Sequence, residues 1–234
     1  MKLAIISDIH CKWNKVQIPE CDVLISCGDY SFQGEKHVVE DFHKWLNKQE
    51  AGYIISVQGN HETWVEKNFA QAKEIAEKAC PGVHFIDEGA VEIEGVKFYG
   101  SAITPFFCNW AWNRARSEAE QVQYQPRTGR MSIIPLIKPH WDKIPDDTQI
   151  LITHGPPHGI LDKVYEYDGV TVREQVGCKL LMDRIHALKQ IKMHCFGHIH
   201  GSSGEQSFMG VKYINASICD EQYQPTNPVR IFEF

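Results

Sequence analysis

Short apolar runs alternate with amphipathic stretches along the first third of this chain. Residues 3–7 and 23–27 are almost continuously apolar, the pattern of strands buried on both faces. Residues 35–48 place Val38, Val39, Phe42, Trp45 and Leu46 at helical spacing, with charges on the opposite side. Residues 53–57 form the next apolar run. Residues 65–80 predict a second helix, stopped by Cys80-Pro81-Gly82. This β-α-β-α alternation points to a sheet with helices packed on it.

The rhythm then changes. Residues 83–87, 90–93 and 96–99 predict short strands joined by turns at Glu88-Gly89 and Glu94-Gly95, an antiparallel meander. Residues 104–144 have no clear period and are rich in aromatics and arginines. Residues 150–153 and 193–196 are further apolar runs, residues 173–189 predict a helix, and residues 211–216 and 229–234 predict the closing strands. The second half holds too many strands for a doubly wound parallel sheet. The expected architecture is α/β, with two mixed sheets flanked by helices, in a single domain spanning 1–234.

Composition adds little to this but excludes much. Among 234 residues, 43% are hydrophobic and 23% charged, ordinary for a globular protein. The formal net charge of −6 argues against long nucleic acid or a membrane surface as partner. The opening residues read as a buried strand rather than a signal peptide, and no apolar run is long enough to span a bilayer. Eight cysteines are scattered without any Cys-x-x-Cys pair, as expected of reduced, partly buried thiols in a cytoplasmic protein.

Polar chemistry is concentrated in five islands, most of them directly after apolar runs. They are Asp8-Ile9-His10, Gly28-Asp29, Gly59-Asn60-His61-Glu62, His154 and Gly197-His198-Ile199-His200. In an extended segment, residues two apart point the same way, so Asp8 with His10 and His198 with His200 form matched pairs. Strand ends could deliver all these donors to one point. Seven donors exceed the needs of one metal ion and suit two, and Asp29, a carboxylate with two oxygens, is the natural bridge. Mixed oxygen and imidazole donors favour Mn²⁺ (the first choice), Fe²⁺, Zn²⁺, Co²⁺ or Ni²⁺ over Mg²⁺ or Ca²⁺.

These islands resemble the signature of the calcineurin-like metallophosphoesterases: Asp-x-His, Gly-Asp, Gly-Asn-His-Asp/Glu, His and Gly-His-x-His. The resemblance implies a four-layer α/β/β/α sandwich with a dinuclear site at the sheet edge. It implies that Asp8, His10 and His200 hold one ion, Asn60, His154 and His198 the other, with Asp29 bridging. His61 corresponds to the histidine that protonates the leaving oxygen or steadies the transition state. The arginines that clamp phosphate in protein phosphatases of this superfamily are absent after Gly28-Asp29 and Gly59-Asn60-His61-Glu62. Thr153-His154-Gly155-Pro156-Pro157, Val176-Gly177-Cys178, Asn215-Ala216-Ser217 and Pro225-Thr226-Asn227-Pro228 instead resemble class III phosphodiesterases of the brain protein 239 type. That implies hydrolysis of small phosphodiesters or nucleotides, such as 2′,3′-cyclic nucleotides, by a metal-bridging hydroxide.

Other residues carry two readings. Glu62 is an orienting partner for His61, or a helix cap or solvent-facing group. The segment 105–131, with Trp110, Arg114, Arg116, Tyr124, Arg127 and Arg130, is a lid that stacks a base and forks a phosphate, or a packed crossover or dimer contact. Asn215 is a weaker nucleotide contact. His158, His186 and His194 read as supporting, core or surface histidines, and Cys11 and Cys27 as packing residues. A phosphomonoesterase or nuclease and a catalytically weak metal-binding scaffold are the competing functions, and a homo-oligomer is left open.

Overall fold

The computed structural model describes residues 1–125, 130–165 and 171–234. Two mixed sheets face each other. The first runs Arg230–Glu233, Lys2–Ile6, Cys21–Ser26, Ala51–Val57, His84–Ile86 in spatial order; the last four strands are parallel, and Arg230–Glu233 is antiparallel at the edge. The second runs Gly204–Phe208, Val211–Asn215, Met193–Phe196, Ile150–Thr153, Val96–Ser101, Glu88–Ile93, with its four central strands parallel and both edges antiparallel.

Alternation along each strand decides the layers. Leu3 and Ile5 point between the sheets, where they meet Ile150, Ile152, Met193 and Cys195. Ala4 and Ile6 point outward and pack with Val39, Phe42, Leu46, Ala72 and Ala76 of the helices Lys36–Leu46 and Phe69–Ala79. On the far side Tyr99, Leu151, Phe196 and Tyr213 pack against Trp141, Leu181 and Ile185 of the helices Lys138–Trp141 and Lys179–Ala187. The result is a four-layer α/β/β/α sandwich. Strands buried on both faces explain why the sequence shows near-continuous apolar runs there.

Several expected elements are placed differently. The helix expected over 65–80 is two, Thr63–Lys67 and Phe69–Ala79, broken at Asn68, whose side chain donates to the Trp64 carbonyl (2.8 Å). No meander forms at 83–99. His84–Ile86 joins the first sheet, the chain crosses at Asp87, and Glu88–Ile93 begins the second, with Gly89 inside a strand opposite Gly100. The helix expected from 173 starts only at Lys179. Val172–Gln175 instead pairs with Lys163–Tyr165, because the buried Asp162 carboxylate takes the backbone N–H groups of Gly159 and Gly177 and folds the segment back. Residues 104–144, expected to be irregular, hold short paired strands and two single-turn helices. The polar edge strand Gly204–Phe208 carries no apolar signal and was not expected. No helix among the described residues is long and apolar enough to cross a membrane. Every cysteine is a free thiol, six of them buried.

Parallel neighbours end at the same edge. Asp8, Asp29 and Asn60 therefore follow three adjacent strands of one sheet, and His154 and His198 follow two adjacent strands of the other. A bridge between Ser7 and Ser217 stitches the two sheets together at that edge.

Candidate metal centre

Backbone geometry at this edge is strained. Asp8, His10, Asp29 and His198 all take left-handed backbone, with φ of 53°, 44°, 53° and 71°. Each costs on the order of 1–3 kcal/mol, a cost that folded proteins concentrate at functional sites. Two glycines make the crossing possible. A Cβ on Gly59 would strike the Asp29 carboxylate, and one on Gly197 would strike the Asp8 carboxylate and Ser7.

The donors gather in overlapping groups. Asp8, His10 and His200 bring one ligand atom each within 4.8 Å of one another, as do Asp29, His154 and His198, and also His10, Asp29 and His61. Asn60 joins the second group through Oδ1, 2.8 Å from His154 Nε2. All seven expected metal ligands therefore meet. His61, expected to handle a proton, stands among them.

Most of the imidazoles are wired in one way. In four of the five, Nδ1 donates to a main-chain carbonyl: His10 to Ser31 (3.1 Å), His200 to Asp220 (2.9 Å), His154 to Cys27 (2.9 Å) and His61 to Phe32 (3.1 Å). A carbonyl only accepts, so each of these Nδ1 atoms carries a proton and Nε2 is the nitrogen turned to the site. That is the arrangement by which proteins orient metal-binding histidines. The His10 and His200 Nε2 atoms lie 3.2 Å apart, and His154 Nε2 faces both Asn60 Oδ1 and Asp29 Oδ2 (3.1 Å). Electron-rich atoms meeting at such distances fit cations between them. The buried Asp8 Oδ1, which has no hydrogen bond, points the same way, 3.4 Å from His200 Nε2.

Electrostatics follow from this crowding. Burial favours the neutral Asp8 carboxyl, but His200, with His154 and His10, outweighs it and holds the group well below the carboxylate range. His154 does the same for Asp29. Burial brings His10 down to about 4, and burial with the neighbouring His154 brings His198 down to about 4, so both present neutral, ligating nitrogens. Burial opposes charge on His154 too, yet Asp29 lifts it to about 10: a proton is held where a cation would sit.

Supporting groups emerge that sequence reasoning did not find. Ser217 Oγ and the His198 N–H both donate to Asp8 Oδ2 (2.8 Å each), leaving Oδ1 for the site. Asn215, expected to touch substrate, is fully buried; its Nδ2 donates to the Ile199 carbonyl (2.9 Å) and its Oδ1 accepts from Ser217. It braces the Gly197–His200 turn instead. Glu62 neither orients His61 nor faces solvent. Its buried carboxylate accepts from the backbone N–H groups of Asp29 (2.9 Å), Gly59 (2.7 Å) and Ser31 (3.2 Å) and from the Ser31 hydroxyl (2.8 Å). Burial and the nearby Asp29 push that carboxyl up to about 8, so two ligand loops hang on a group that the site itself disfavours as an anion.

Aromatic rings rim the donors. Tyr223 stands edge-on to His10 (4.8 Å between centroids) and His200 (5.4 Å), Phe32 stacks on His10 (5.1 Å), and Trp110 lies 5.0 Å from His61. The donors open onto a hollow of about 230 Å³ walled in part by Trp110, Glu221 and Tyr223. Of the other residues expected to touch substrate, Arg116 donates to Glu120 and to the Phe106 carbonyl and borders a neighbouring cavity. Arg114 donates to His140 (3.1 Å) through Nε and to the Asn113 carbonyl through Nη1, within a network reaching Glu88. Arg127 lies outside the described residues. His194 is a buried core histidine that donates to Thr153 Oγ1 (2.8 Å), and His158 stands 3.7 Å from Asp162.

A four-layer sandwich with an edge cluster of carboxylate, amide and imidazole donors defines a candidate divalent-metal centre. The chain belongs to the calcineurin-like phosphoesterase family, whose model matches residues 1–202. Metallophosphoesterase domain-containing protein 1 of Homo sapiens is 30% identical over 242 residues, covering 95% of this chain and 68% of that protein. Among solved structures, a phosphopantetheinyl hydrolase from Mycobacterium tuberculosis shares the fold at a TM-score of 0.59 and 14% identity, covering 99% of this chain and 95% of that one. A dimetal phosphatase from Danio rerio does so at 0.53 and 11%, covering 92% and 86%.

Proposed function

We propose that this protein is a phosphodiesterase for small phosphodiesters, 2′,3′-cyclic nucleotides among them, acting with two divalent transition-metal ions, Mn²⁺ first. The observation that carries this reading is the set of imidazoles fixed at Nδ1 by main-chain carbonyls, with Nε2 turned toward shared space. Asp8, His10 and His200 would hold one ion and Asn60, His154 and His198 the other, with Asp29 between them. When bound, divalent ions acidify water and neutralise charge on a phosphoryl group.

The chain's own residues do the rest. Ser217 and the His198 N–H fix the Asp8 carboxylate, so little reorganisation is left for the moment of reaction. The His61 N–H that binds Asp29 Oδ1 (2.8 Å) holds that carboxylate and the His61 backbone in one register. With Nδ1 tied to Phe32, His61 turns Nε2 toward the hollow, the position from which it would pass a proton to the leaving oxygen. Trp110 and Tyr223 line the hollow with ring surface. The test is a screen of the metal-reconstituted protein with aryl diesters, aryl monoesters and cyclic nucleotides, using Asp29→Ala as the blank. Diester turnover lost in that variant is the expected result. A preference for monoesters, or turnover that survives Asp29→Ala, overturns the reading.

A further inference from the structure

The hollow at the donors holds about 230 Å³, room for a phosphoryl group and little more. Its walls therefore meet the charge of that group before the shape of any arm. Among the described residues that line it there is no lysine or arginine, and its two carboxylates are those of Asp29 and Glu221. Asp29 is engaged by the donor cluster: Oδ1 accepts from the His61 N–H and Oδ2 faces His154 Nε2. Glu221 has no such task.

Two contacts fix where Glu221 stands. The carbonyl of its neighbour Asp220 accepts from His200 Nδ1 (2.9 Å), which ties the chain at 220–221 to an expected metal ligand. The Glu221 carboxylate lies over Gly201, the residue after that ligand, where a Cβ would come within 2.7 Å of Oε1. The two adjacent acids divide the work. Asp220 folds the following turn, its carboxylate accepting from the N–H groups of Gln222 (2.9 Å) and Gln224 (2.8 Å) and from the Thr226 hydroxyl (3.2 Å). Glu221 takes no hydrogen bond or ion pair among the described residues. A carboxylate that braces nothing and borders the hollow acts there through its charge.

Charge is what separates the two classes of phosphate ester. A diester carries one negative charge, whereas a monoester, with a second pKa of about 6, carries about 1.5–2 at pH 7. A fixed anion near the phosphoryl group opposes the monoester more strongly, because the repulsion scales with the ligand's charge. We propose that Glu221 is a specificity-determining residue of the phosphoryl pocket, its carboxylate turning away the second negative charge of monoesters. The assignment deepens the phosphodiesterase reading and rests on it for the position of phosphorus.

The test compares two small ligands that differ in charge. Methyl phosphate, doubly charged at about pH 8, and dimethyl phosphate, singly charged, are titrated by calorimetry into the Mn²⁺-loaded protein. Removing one negative charge acts twice as strongly on the double charge. Glu221→Gln should therefore tighten methyl phosphate by about tenfold and dimethyl phosphate by only about threefold. Glu221→Lys should extend both changes in the same order. Because Glu221 is exposed, added salt should shrink the gap between the unchanged protein and either variant. Metal stoichiometry should stay the same throughout. An equal change for both ligands, no change for either, or a loss of metal overturns the proposal. Faster turnover of aryl monoesters than diesters by the unchanged protein, with the Glu221→Gln shift intact, would overturn the diesterase reading and leave the Glu221 assignment standing.

Discussion

Asp8 shows how much of this centre is set one residue at a time. Its left-handed backbone turns the carboxylate back over Gly197, where only hydrogen fits, and two donors then clamp Oδ2. Ser217→Ala removes one clamp. Groups that orient metal ligands in this way typically govern affinity by 10–100-fold. Ser217→Ala should therefore weaken Mn²⁺ binding by about tenfold with little change in thermal stability, as read by calorimetric titration; unaltered affinity would show that the serine is incidental. Asp8, His10, Asp29, Asn60, His154, His198 and His200 were legible in the sequence because each lies in a short local motif. The partner of Ser217 was not: the residue stands in the Asn215-Ala216-Ser217 motif, but it meets Asp8 across 209 positions, which no local pattern encodes.

Elements were legible wherever burial was two-sided. The apolar runs ending at Ser7, Cys27, Val57, Thr153 and Phe196 stand out because both faces of those strands are covered. Short, mostly exposed pieces gave no such signal, which is why residues 173–175 fall inside the expected helix and Gly204–Phe208 has no counterpart in the sequence pattern. Loops between elements are held by single buried groups, and Glu62 is the clearest. Glu62→Ala would strip the acceptor from three backbone N–H groups and one hydroxyl at once. Each orphaned buried donor costs about 1–3 kcal/mol. The expected outcome is a loss of at least about 3 kcal/mol in urea unfolding together with loss of metal binding. Retention of both would mean that the loops have other anchors.

Across the whole molecule, buried histidines also tie layer to layer and make the fold sensitive to acid. His43 in the helix Lys36–Leu46 bonds the Val39 carbonyl (2.7 Å) and reaches Ser56 of the first sheet (3.2 Å), and burial brings it down to about 4. Its folded value lies below the unfolded one, near 6.5. The unfolded chain therefore takes up the proton first, and stability present above pH 6.5 is lost as pH falls toward 4. For His43 that loss is on the order of 3 kcal/mol. His43→Leu should unfold in urea with a visibly shallower decline between pH 7 and pH 4 than the unchanged protein; parallel declines would remove His43 from the account. The sequence by itself determined the donor set, the strand ends that carry it and the α/β character. Those follow from local polarity and from runs of buried side chains. Only the tertiary structure decided that the donors meet at one edge, that the buried Asn215 braces the Gly197–His200 turn, and that a second cavity shares a wall with the donor hollow. These depend on parallel neighbours ending at one edge and on contacts between segments far apart in the chain, which no local pattern encodes.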